Sequence, residues 1–465
     1  MRGNKMWVVA IVLAAVFAAI YGDALGHGFV KDDFRWIAAA DVHSAGDLQR
    51  VFATNLGFYR PLVTLSFAID RAVWILNARG YAVTNLILLV ANAGLLLMLA
   101  RRLPLSSPVS LFAVAVWMFN FHGINMALLW ISGRTALLLC LFSLAAVLAW
   151  LRGRRLVGAL LTLAAMLSKE EAVMLPLLLV MIDVLHVGDR DSRSDSIRRA
   201  LQRSWPLWVA TAIYLIARSQ SGAFGMSDAP SYYRLTSDPG VILKNAVEYL
   251  DRGATWPAVT AVLMFLFTPA GTSFDEVERR VIRFGVVWFV LMFAITVFLP
   301  VRSSLYAVAP SIGTALAAAA FASRAQRTAP YRFARVSTVL IVAAAALIPV
   351  YRMRNQGLIG PADLSTQATA ELQRAAHLRP AVREIVLIDE PGAAVTLEDA
   401  FGALAPDAVH LFVSPDVLVR TGDIKSAIDG TKEDVMVLRL RDGRLVQDRV
   451  RTNGSPEDTS ASHPG

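Results

Sequence analysis

Residues 81–100 read YAVTNLILLVANAGLLLMLA and contain no charged side chain. A helix of about 20 apolar residues crosses the hydrocarbon core of a bilayer, which is about 30 Å thick. This run therefore predicts a transmembrane helix, and similar runs lie on both sides of it. Together they make eleven apolar runs, at 6–20, 80–100, 108–123, 135–151, 156–168, 172–186, 205–218, 255–269, 284–300, 305–322 and 336–350.

The composition of the whole chain agrees with this pattern. Of its 465 residues, 56% are hydrophobic and 17% are charged, against about 25% charged in ordinary soluble proteins. These values exclude a disordered protein and most cytosolic enzymes, and the single cysteine, Cys140, excludes an intramolecular disulfide scaffold. The net charge of +9 is typical of basic cytoplasmic loops in a membrane protein, so no nucleic-acid partner is predicted.

One stretch decides the sidedness of the chain. Residues 62–77 carry Asp70 and Arg71 at their centre, where each charge costs about 2.5–3.5 kcal/mol in a spanning helix, so a helix lying in the interface is predicted. The arginine-rich loops then all fall inside, whereas counting the stretch as a span would invert every later loop. The pattern predicts a multi-pass protein with a cytoplasmic N-terminus, and with residues 21–81 and the C-terminal region outside. The few aromatic residues and the short C-terminal domain fit a bacterial inner membrane.

The predicted organisation has three parts. Residues 1–350 form a transmembrane domain, which includes the first outer loop at 21–81. In residues 351–451, the helix-like STQATAELQRAAHL, the strand-like REIVLIDEP, the helix-like LEDAFGALAPDAV and two short apolar runs, HLFV and VMVLRLRDGRLV, predict a small extracytoplasmic α/β domain. The polar end, 452–465, is predicted to be disordered. The expected fold class is a polytopic all-α membrane protein of about eleven spans with this C-terminal α/β domain.

Two adjacent carboxylates stand in the first outer loop, in YGDALGHGFVKDDFRWI (21–37). Successive helical residues diverge by about 100°, so Asp32 and Asp33 are not expected to address one substrate atom together. One could act as a general base while the other caps or holds the helix. Alternatively, both serve only to start a helix over FRWIAAA, because Asp is a favoured N-cap residue.

Several charged and polar side chains lie at the predicted outer ends of the apolar runs. A cluster of cations beside a carboxylate at headgroup depth suits an anionic lipid head. The alternative for each cation is a snorkelling side chain, or for Lys169 and Glu170 a mutual ion pair. The candidates are Arg134 in WISGR, Lys169 and Glu170 in LSKEE, Arg302 and Tyr306 in PVRSSLYAVAPSIG, Tyr59 and Arg60 in YRPL, and His122 in NFHG.

No established cofactor motif is present. The seven histidines share no metal-ligand spacing, and the sequence contains no P-loop, no Gly-rich dinucleotide turn and no G-x-S-x-G motif. These absences argue against an ATP-driven pump and a lipase. No metal site is predicted from ligand spacing, and a divalent cation at the acidic pair is left open.

Five stretches in order resemble a known family over about residues 1–325. They are GHGFVKDDF (26–34), the region from YRPLVTLSF to LARRL (59–103), FHGINMALLWISGRTALLLCLFSLAAVLAW (121–150), LSKEEAVMLPLLLVMIDVL (167–185) and PVRSSLYAVAPSIG (300–313). They resemble the membrane half of the transmembrane and tetratricopeptide repeat O-mannosyltransferases, which belong with the protein O-mannosyltransferases to the C-type fold of lipid-phosphosugar glycosyltransferases. The family's C-terminal helical repeats are replaced here by the α/β segment.

The resemblance implies a reaction and roles for these residues. Asp32 or Asp33 would be the general base that deprotonates an acceptor hydroxyl as it attacks the anomeric carbon of a polyprenyl-phosphate sugar, inverting its configuration. The leaving phosphate needs cations, which would be Arg60, Arg134, Lys169 and Arg302. Apart from the resemblance, the positions of Tyr59, His122, Glu170 and Tyr306 predict substrate contacts; the alternatives are a structural histidine for His122 and, for YRPL, a turn in which Pro61 opens a helix. The expected partners are the lipid donor, membrane lipid, and a protein or glycan acceptor. Mannose is the family's usual sugar, and bacterial proteins of this fold also move others.

Two other function classes remain open at this stage. A flippase or transporter of a lipid-linked carrier would place charges near the middle of the membrane and use paired broken helices. The spans carry few central charges, which favours the enzyme. A catalytically inactive scaffold would bind an envelope partner through its outer α/β domain, and the presence of both Asp32 and Asp33 speaks against it.

Overall fold

The computed structural model describes residues 2–187, 198, 200–224, 233–422 and 435–447; the predicted disordered tail, 452–465, lies outside the described residues. The described chain is mostly helical. Its α-helices up to residue 378 are α1 (Arg2–Tyr21), α2 (Asp32–Ala39), α3 (Ala45–Ala53), α4 (Pro61–Trp74), α5 (Ala78–Arg102), α6 (Ser107–Met118), α7 (Ile124–Leu129), α8 (Arg134–Leu151), α9 (Arg155–Met166), α10 (Leu175–Val187), α11 (Trp205–Gln220), α12 (Pro239–Leu266), α13 (Glu276–Phe293), α14 (Pro310–Thr328), α15 (Pro330–Ala346) and α16 (Ile348–Leu378).

Each of the eleven predicted runs falls largely on a helix, because long apolar runs without Gly or Pro clusters favour this structure in lipid. Among the described residues, four helical stretches are long and apolar enough to cross a membrane: Met6–Gly26, Ala78–Arg102, Ile131–Leu151 and Glu276–Phe298. The pair α15 and α16, bent by 48°, passes the same test together. The number of eleven spans stays a prediction. The stretch predicted to lie in the interface forms α4 and is not among these candidate spans.

The chain divides into two compact units. The first, here called the membrane unit, comprises residues 1–27 and 39–359; the second, the mixed unit, comprises residues 28–38 and 360–465. Whereas the sequence predicts a boundary near residue 350 and places all of 21–81 in the transmembrane domain, the structure groups residues 28–38 with the C-terminal region. The acidic pair therefore belongs to the mixed unit.

The core of the membrane unit is built from tightly packed helices. Trp117 and Trp288 are fully buried, and their indole N–H groups donate to the carbonyls of Val308 and Ala309 at 3.0 and 2.7 Å. Helices α13 and α14 approach closely at Gly285 and Gly313, where a Cβ on either residue would collide with the other's carbonyl oxygen. Small residues at such crossings are typical of helix packing in membranes.

The mixed unit contains a four-stranded sheet in the order β2-β1-β3-β4. Its strands are β1 (Glu384–Ile388), β2 (Leu418–Gly422), β3 (Val435–Arg441) and β4 (Arg444–Gln447). Strand β1 pairs in parallel with β2 and β3, and β3 forms an antiparallel hairpin with β4. The turn residues Asp442 and Gly443 both have positive φ, as this tight hairpin requires. This sheet confirms that the C-terminal region is α/β.

Two short helices, α17 (Leu397–Phe401) and α18 (Ala405–Phe412), connect β1 to β2. The run HLFV (410–413), read from the sequence as a short apolar run of its own, mostly continues α18, because the helix that begins at Ala405 has no breaker before it. The run VMVLRLRDGRLV is not one element but the hairpin of β3 and β4. Strand β2 was not foreseen from the sequence.

Candidate functional site

Five charged side chains of the membrane unit form what we call the buried cluster: Arg60, Lys169, Glu170, Glu171 and Arg218. Arg60 precedes Pro61 at the start of α4, and the glutamates open a short 3₁₀ turn between α9 and α10. The Arg60 guanidinium donates to Glu170 through Nε at 3.0 Å and Nη2 at 2.7 Å. Arg218 lies 3.6 Å from the same carboxylate. Two arginines therefore share one carboxylate.

The neighbouring arginines determine the protonation state of the Glu170 carboxyl. Burial raises the pKa of the Glu170 carboxyl, but Arg60 and Arg218 outweigh it, so the pKa is lowered overall. Because Glu170 is ionised at neutral pH, the pair is a charge-assisted, forked contact of the kind that Arg also makes with phosphate. The Arg60 side chain is 11% exposed and its guanidinium also lies 4.1 Å from the centre of the Phe58 ring.

The second ion pair of the buried cluster is almost closed to solvent. Lys169 Nζ lies 2.7 Å from Glu171 Oε1 and 4.6 Å from the centre of the Tyr306 ring, and Lys169 is 2% exposed. A buried charge of this kind is costly unless it is paired, and in a membrane protein it is a functional candidate by default. The structure thus brings Lys169 and Tyr306 together, although 137 positions of sequence separate them.

A second group, here called the rim cluster, consists of Glu248, Arg252 and Arg302. Glu248 accepts from Arg252 Nη2 at 2.9 Å and lies 3.4 Å from Arg302 Nε. Tyr249 connects the two groups, because its ring meets the edge of Tyr306 at 6.3 Å and its hydroxyl donates to the Val301 carbonyl at 3.3 Å. Together the two clusters hold five cations and three carboxylates, an excess of positive charge.

Two further predicted substrate contacts lie in the membrane unit. Near the rim cluster, His122 Nε2 lies 4.0 Å from Asp251 and Nδ1 is 3.2 Å from Arg354 Nη2. Tyr59 is buried, and its hydroxyl donates to the Phe52 carbonyl at 3.1 Å.

Arg134 lies in a different environment, here called the closed network. Its guanidinium donates to Asp70 Oδ2 at 2.5 Å, to Asn85 Oδ1 at 2.9 Å, and to the carbonyls of Ser66 and Tyr81 at 3.2 and 3.1 Å. Arg134 is fully buried. These contacts join α4, α5 and α8. Arg134 and Asp70, the acidic residue at the centre of the predicted interfacial helix, therefore hold the three helices together.

An apolar groove runs between α12 and α14 in the membrane unit. It has a volume of about 490 Å³ and is lined by alanine, proline, valine and phenylalanine side chains and by Thr314. The groove begins at Ala254, two residues after Arg252 of the rim cluster, and follows α12 to Phe265. At 1.5 Å per residue this is roughly 16 Å, about half the thickness of the hydrocarbon core.

The acidic pair opens α2 in the mixed unit, and the structure distinguishes its two members. Asp33 is fully buried, and its Oδ2 accepts from the Val30 N–H at 2.9 Å, across a turn in which Lys31 has a φ of 47°. Asp32 is partly exposed. The Asp33 carboxylate thus stabilises the turn before the helix. Among the described residues no group of three or more metal-ligating side chains occurs, and a divalent cation at the pair stays a prediction.

The sequence did not single out Arg218, Glu248 or Arg252. Arg218 closes the apolar run 205–218, and Glu248 and Arg252 stand just before the run 255–269. Each therefore occupies an outer end of a predicted span, which is the criterion that selected Arg302. The signal was present in the sequence, and applying the criterion to every span would have found all three.

No family model matches the chain. The chain is 30% identical over 204 residues to the protein O-mannosyl-transferase Tmtc1 of Drosophila melanogaster, covering 40% of this chain and 23% of that protein. It thus spans less than a quarter of the relative's length. The crystal structure of ArnT from Cupriavidus metallidurans bound to undecaprenyl phosphate aligns over 93% of each chain with 14% identity and a TM-score of 0.49. The resemblance to the O-mannosyltransferases is confirmed over the part of the chain that aligns with Tmtc1.

Proposed function

We propose that this protein is a membrane glycosyltransferase. It moves a sugar, mannose or another hexose, from a polyprenyl-phosphate donor to a hydroxyl of a protein or glycan acceptor at the outer face of the membrane. The relative in Drosophila, an O-mannosyl-transferase by name, supports the class of reaction. The positive-inside pattern of the loops supports the outer face, because the residues of both clusters lie at the predicted outer ends of spans.

The observation that carries this proposal is the pair of clusters with more cations than carboxylates. A structural ion pair needs one cation for each carboxylate, whereas Glu170 and Glu248 are each shared by two arginines. The surplus charge, together with side chains that remain partly open, suits a phosphate that carries negative charge when it leaves. Preorganised cations lower the barrier because they stabilise charge that develops in the transition state.

The apolar groove supports a lipid-linked donor. With the phosphate at the rim cluster, the first part of a polyprenyl chain would follow α12 from Ala254 towards Phe265. A water-soluble sugar nucleotide would gain nothing from an apolar surface at this place. The anomeric carbon, next to the phosphate, would stand beside Tyr306, which is partly exposed and whose ring is supported edge-on by the buried Tyr249.

The resemblance assigns the base to the acidic pair, and the geometry supports Asp32 as the base and Asp33 as the residue that holds the turn. The Asp32 carboxylate removes the proton of the acceptor hydroxyl while the oxygen attacks the anomeric carbon. The bond from that carbon to the phosphate oxygen breaks with its electron pair on the phosphate, so one displacement inverts the configuration. Because a carboxylate with a pKa near 4 is a weak base, the proton moves late, as the new bond forms.

The experiment compares cells that lack the chain with cells that carry it, or carry Asp32→Asn, by mass spectrometry of lipid, glycan and protein fractions. We expect a hexose-bearing species that appears only with the unaltered chain. Asp32→Asn should lower its rate of formation about 10²–10⁴-fold, because Asn cannot accept the proton. Binding of undecaprenyl phosphate to the purified full chain in nanodiscs should stay unchanged.

Two further variants sharpen this test. Asp33→Asn should lose less activity, since an Asn side-chain oxygen still accepts from the Val30 N–H. Asp23→Asn is the matched control, because Asp23 is an exposed carboxylate in the same loop that pairs with Arg352. Transfer that persists at near half its rate in both Asp32→Asn and Asp33→Asn would refute the general base, and no new species in any fraction would refute the transferase.

A further inference from the structure

The acidic loop, residues 28–38, is built into the mixed unit by aromatic side chains. Phe34 is fully buried, its ring stacks on Phe401 with 5.5 Å between centroids, and it meets the edge of Phe412 at 6.3 Å. Phe29 adds a second contact to Phe412 at 6.5 Å. Phe34 directly follows the acidic pair, so the position of its ring fixes the start of α2.

Backbone contacts fix the same turn. The Lys31 N–H donates to the Ala400 carbonyl at 2.9 Å, and Lys31 holds a φ of 47°, a left-handed conformation that a non-glycine residue keeps only when its surroundings impose it. At Gly28 a Cβ would collide with the Thr366 side chain and stand 2.9 Å from the Ala362 carbonyl oxygen. The loop therefore fits closely against segments of the chain that follow residue 360.

The partner side of this contact is itself rigid. Helix α17, which ends at Phe401, begins with a capping box in which Thr396 and Asp399 satisfy each other's backbone N–H groups. The Leu397 N–H also donates at 2.8 Å to Asp389, the residue after β1. These contacts fix the start of α17, four residues before Phe401.

We propose that the C-terminal α/β region is a clamp that sets the position of the acidic pair, with Ala400, Phe401 and Phe412 as the surface that holds Phe34 and the turn before it. Its role in catalysis rests on the proposed function, whereas the dependence of the loop on the clamp does not. Phe401 and Phe412 are then positioning residues: they touch no substrate, and they act through Phe34 and the turn on Asp32. A base displaced by about 1 Å can lower a rate about 10²-fold, so a domain that only holds a loop can control turnover.

The test uses the full chain in nanodiscs with Phe401→Ala and the milder Phe401→Leu. The control is Val437→Ala, because Val437 is equally buried in the same unit but packs in a separate cluster with Val386 and Ile388. Three quantities are measured in all variants: the rate of hydrogen exchange of the amides in residues 28–38, the kcat of hexose transfer, and the Kd for undecaprenyl phosphate. The Leu variant keeps most of the apolar volume, so the mixed unit stays folded.

For Phe401→Ala we expect exchange in residues 28–38 about tenfold faster, corresponding to about 1.4 kcal/mol of local stability. We also expect kcat about 10- to 100-fold lower with an unchanged donor Kd. Phe401→Leu should recover part of both, and Val437→Ala should change neither in this loop. Exchange that is unaltered, or raised equally by Val437→Ala, would overturn the clamp. Faster exchange with an unchanged kcat would overturn the positioning role of the clamp. Absence of transfer in the unaltered chain would refute the proposed function, and the exchange rates alone would then decide whether the clamp exists.

Discussion

Arg134 and Arg60 are both arginines held by a carboxylate in the membrane unit, and their surroundings differ in kind. Arg134 is fully buried and donates to a carboxylate, an amide oxygen and two backbone carbonyls. Arg60 remains 11% exposed and donates to one carboxylate, which Arg218 also approaches. In the closed network four acceptors surround one cation, whereas in the buried cluster two arginines surround the Glu170 carboxylate.

The difference separates an ion pair that supports the fold from one that suits a ligand. A guanidinium whose donors already meet four acceptors can bind a phosphate only by losing contacts that the fold needs. Arg60 and Arg218 share the Glu170 carboxylate and Arg218 also donates to the Tyr214 hydroxyl, so among the described residues the two guanidinium groups together meet fewer acceptor groups than Arg134 does alone, and a phosphate would supply three oxygens. Arg134 therefore moves from the predicted donor-binding residues towards a structural role, while Arg60, Lys169 and Arg302 remain candidates for the donor site.

The largest effect on stability is expected in the closed network. Asp70→Ala leaves Arg134 buried without its carboxylate, which should lower the free energy of unfolding by about 3–5 kcal/mol. The matched control is Arg71→Ala, because Arg71 is the next residue and pairs with the exposed Asp41 at the surface, where an ion pair is worth about 0–1 kcal/mol. Denaturation of the two purified variants measures the difference. Equal stability would show that the closed network contributes nothing.

The sequence predicted the helices well, because an apolar run in lipid has few other ways to satisfy its backbone. It also selected Arg60, Lys169, Glu170 and Arg302, because charge at the end of a span is unusual enough to be noticed, and it selected Tyr306 one helical turn after Arg302. It could not separate Arg134 from these, since the same signal marks both. Only the tertiary contact with Asp70, which pairs α4 with α8, distinguishes the two cases.

The sequence also could not predict that the acidic loop belongs to the mixed unit. Residues 28–38 adjoin an apolar run, which favours assigning them to the transmembrane domain. The contact of Phe34 with Phe401 depends on the packing of two segments more than 350 positions apart, and no local pattern reports it. The distinction between Asp32 and Asp33 likewise came from the fold, because the turn at Lys31 decides which carboxylate is buried.

A smaller effect, on ligand binding, is expected at the rim cluster. Arg302→Ala should weaken binding of undecaprenyl phosphate about 10- to 100-fold, since a hydrogen bond to a charged group is worth about 1.5–3 kcal/mol. Arg302→Lys should recover only part, because an ammonium group cannot make the forked contact. The control is Arg283→Ala, an exposed arginine 4.0 Å from Glu276 in α13. Titration in nanodiscs measures the Kd, and equal values for the Ala variants at 302 and 283 would make Arg302 a snorkelling side chain.

The smallest effect concerns the pH dependence of the Arg60–Glu170 pair. Glu170→Gln keeps an acceptor but removes the charge, which should lower the free energy of unfolding by about 1 kcal/mol at neutral pH. Because the pKa of Glu170 is lowered in the folded protein, the stabilisation is fully present above the ordinary Glu pKa of about 4.3 and is lost as the pH falls through the lowered value. The difference in stability between the unaltered chain and Glu170→Gln should therefore be constant from pH 5 to 8 and shrink below about pH 4.

Denaturation of both proteins across this pH range measures the difference in stability, with Glu276→Gln as the control for an exposed carboxylate that also pairs with arginine. If the difference in stability instead grows between pH 5 and 8, burial raises the pKa of the Glu170 carboxyl by more than the two arginines lower it. Arg60 would then face a neutral Glu170 at the lower pH, and the buried cluster would carry one more uncompensated positive charge for the phosphate than the structure indicates.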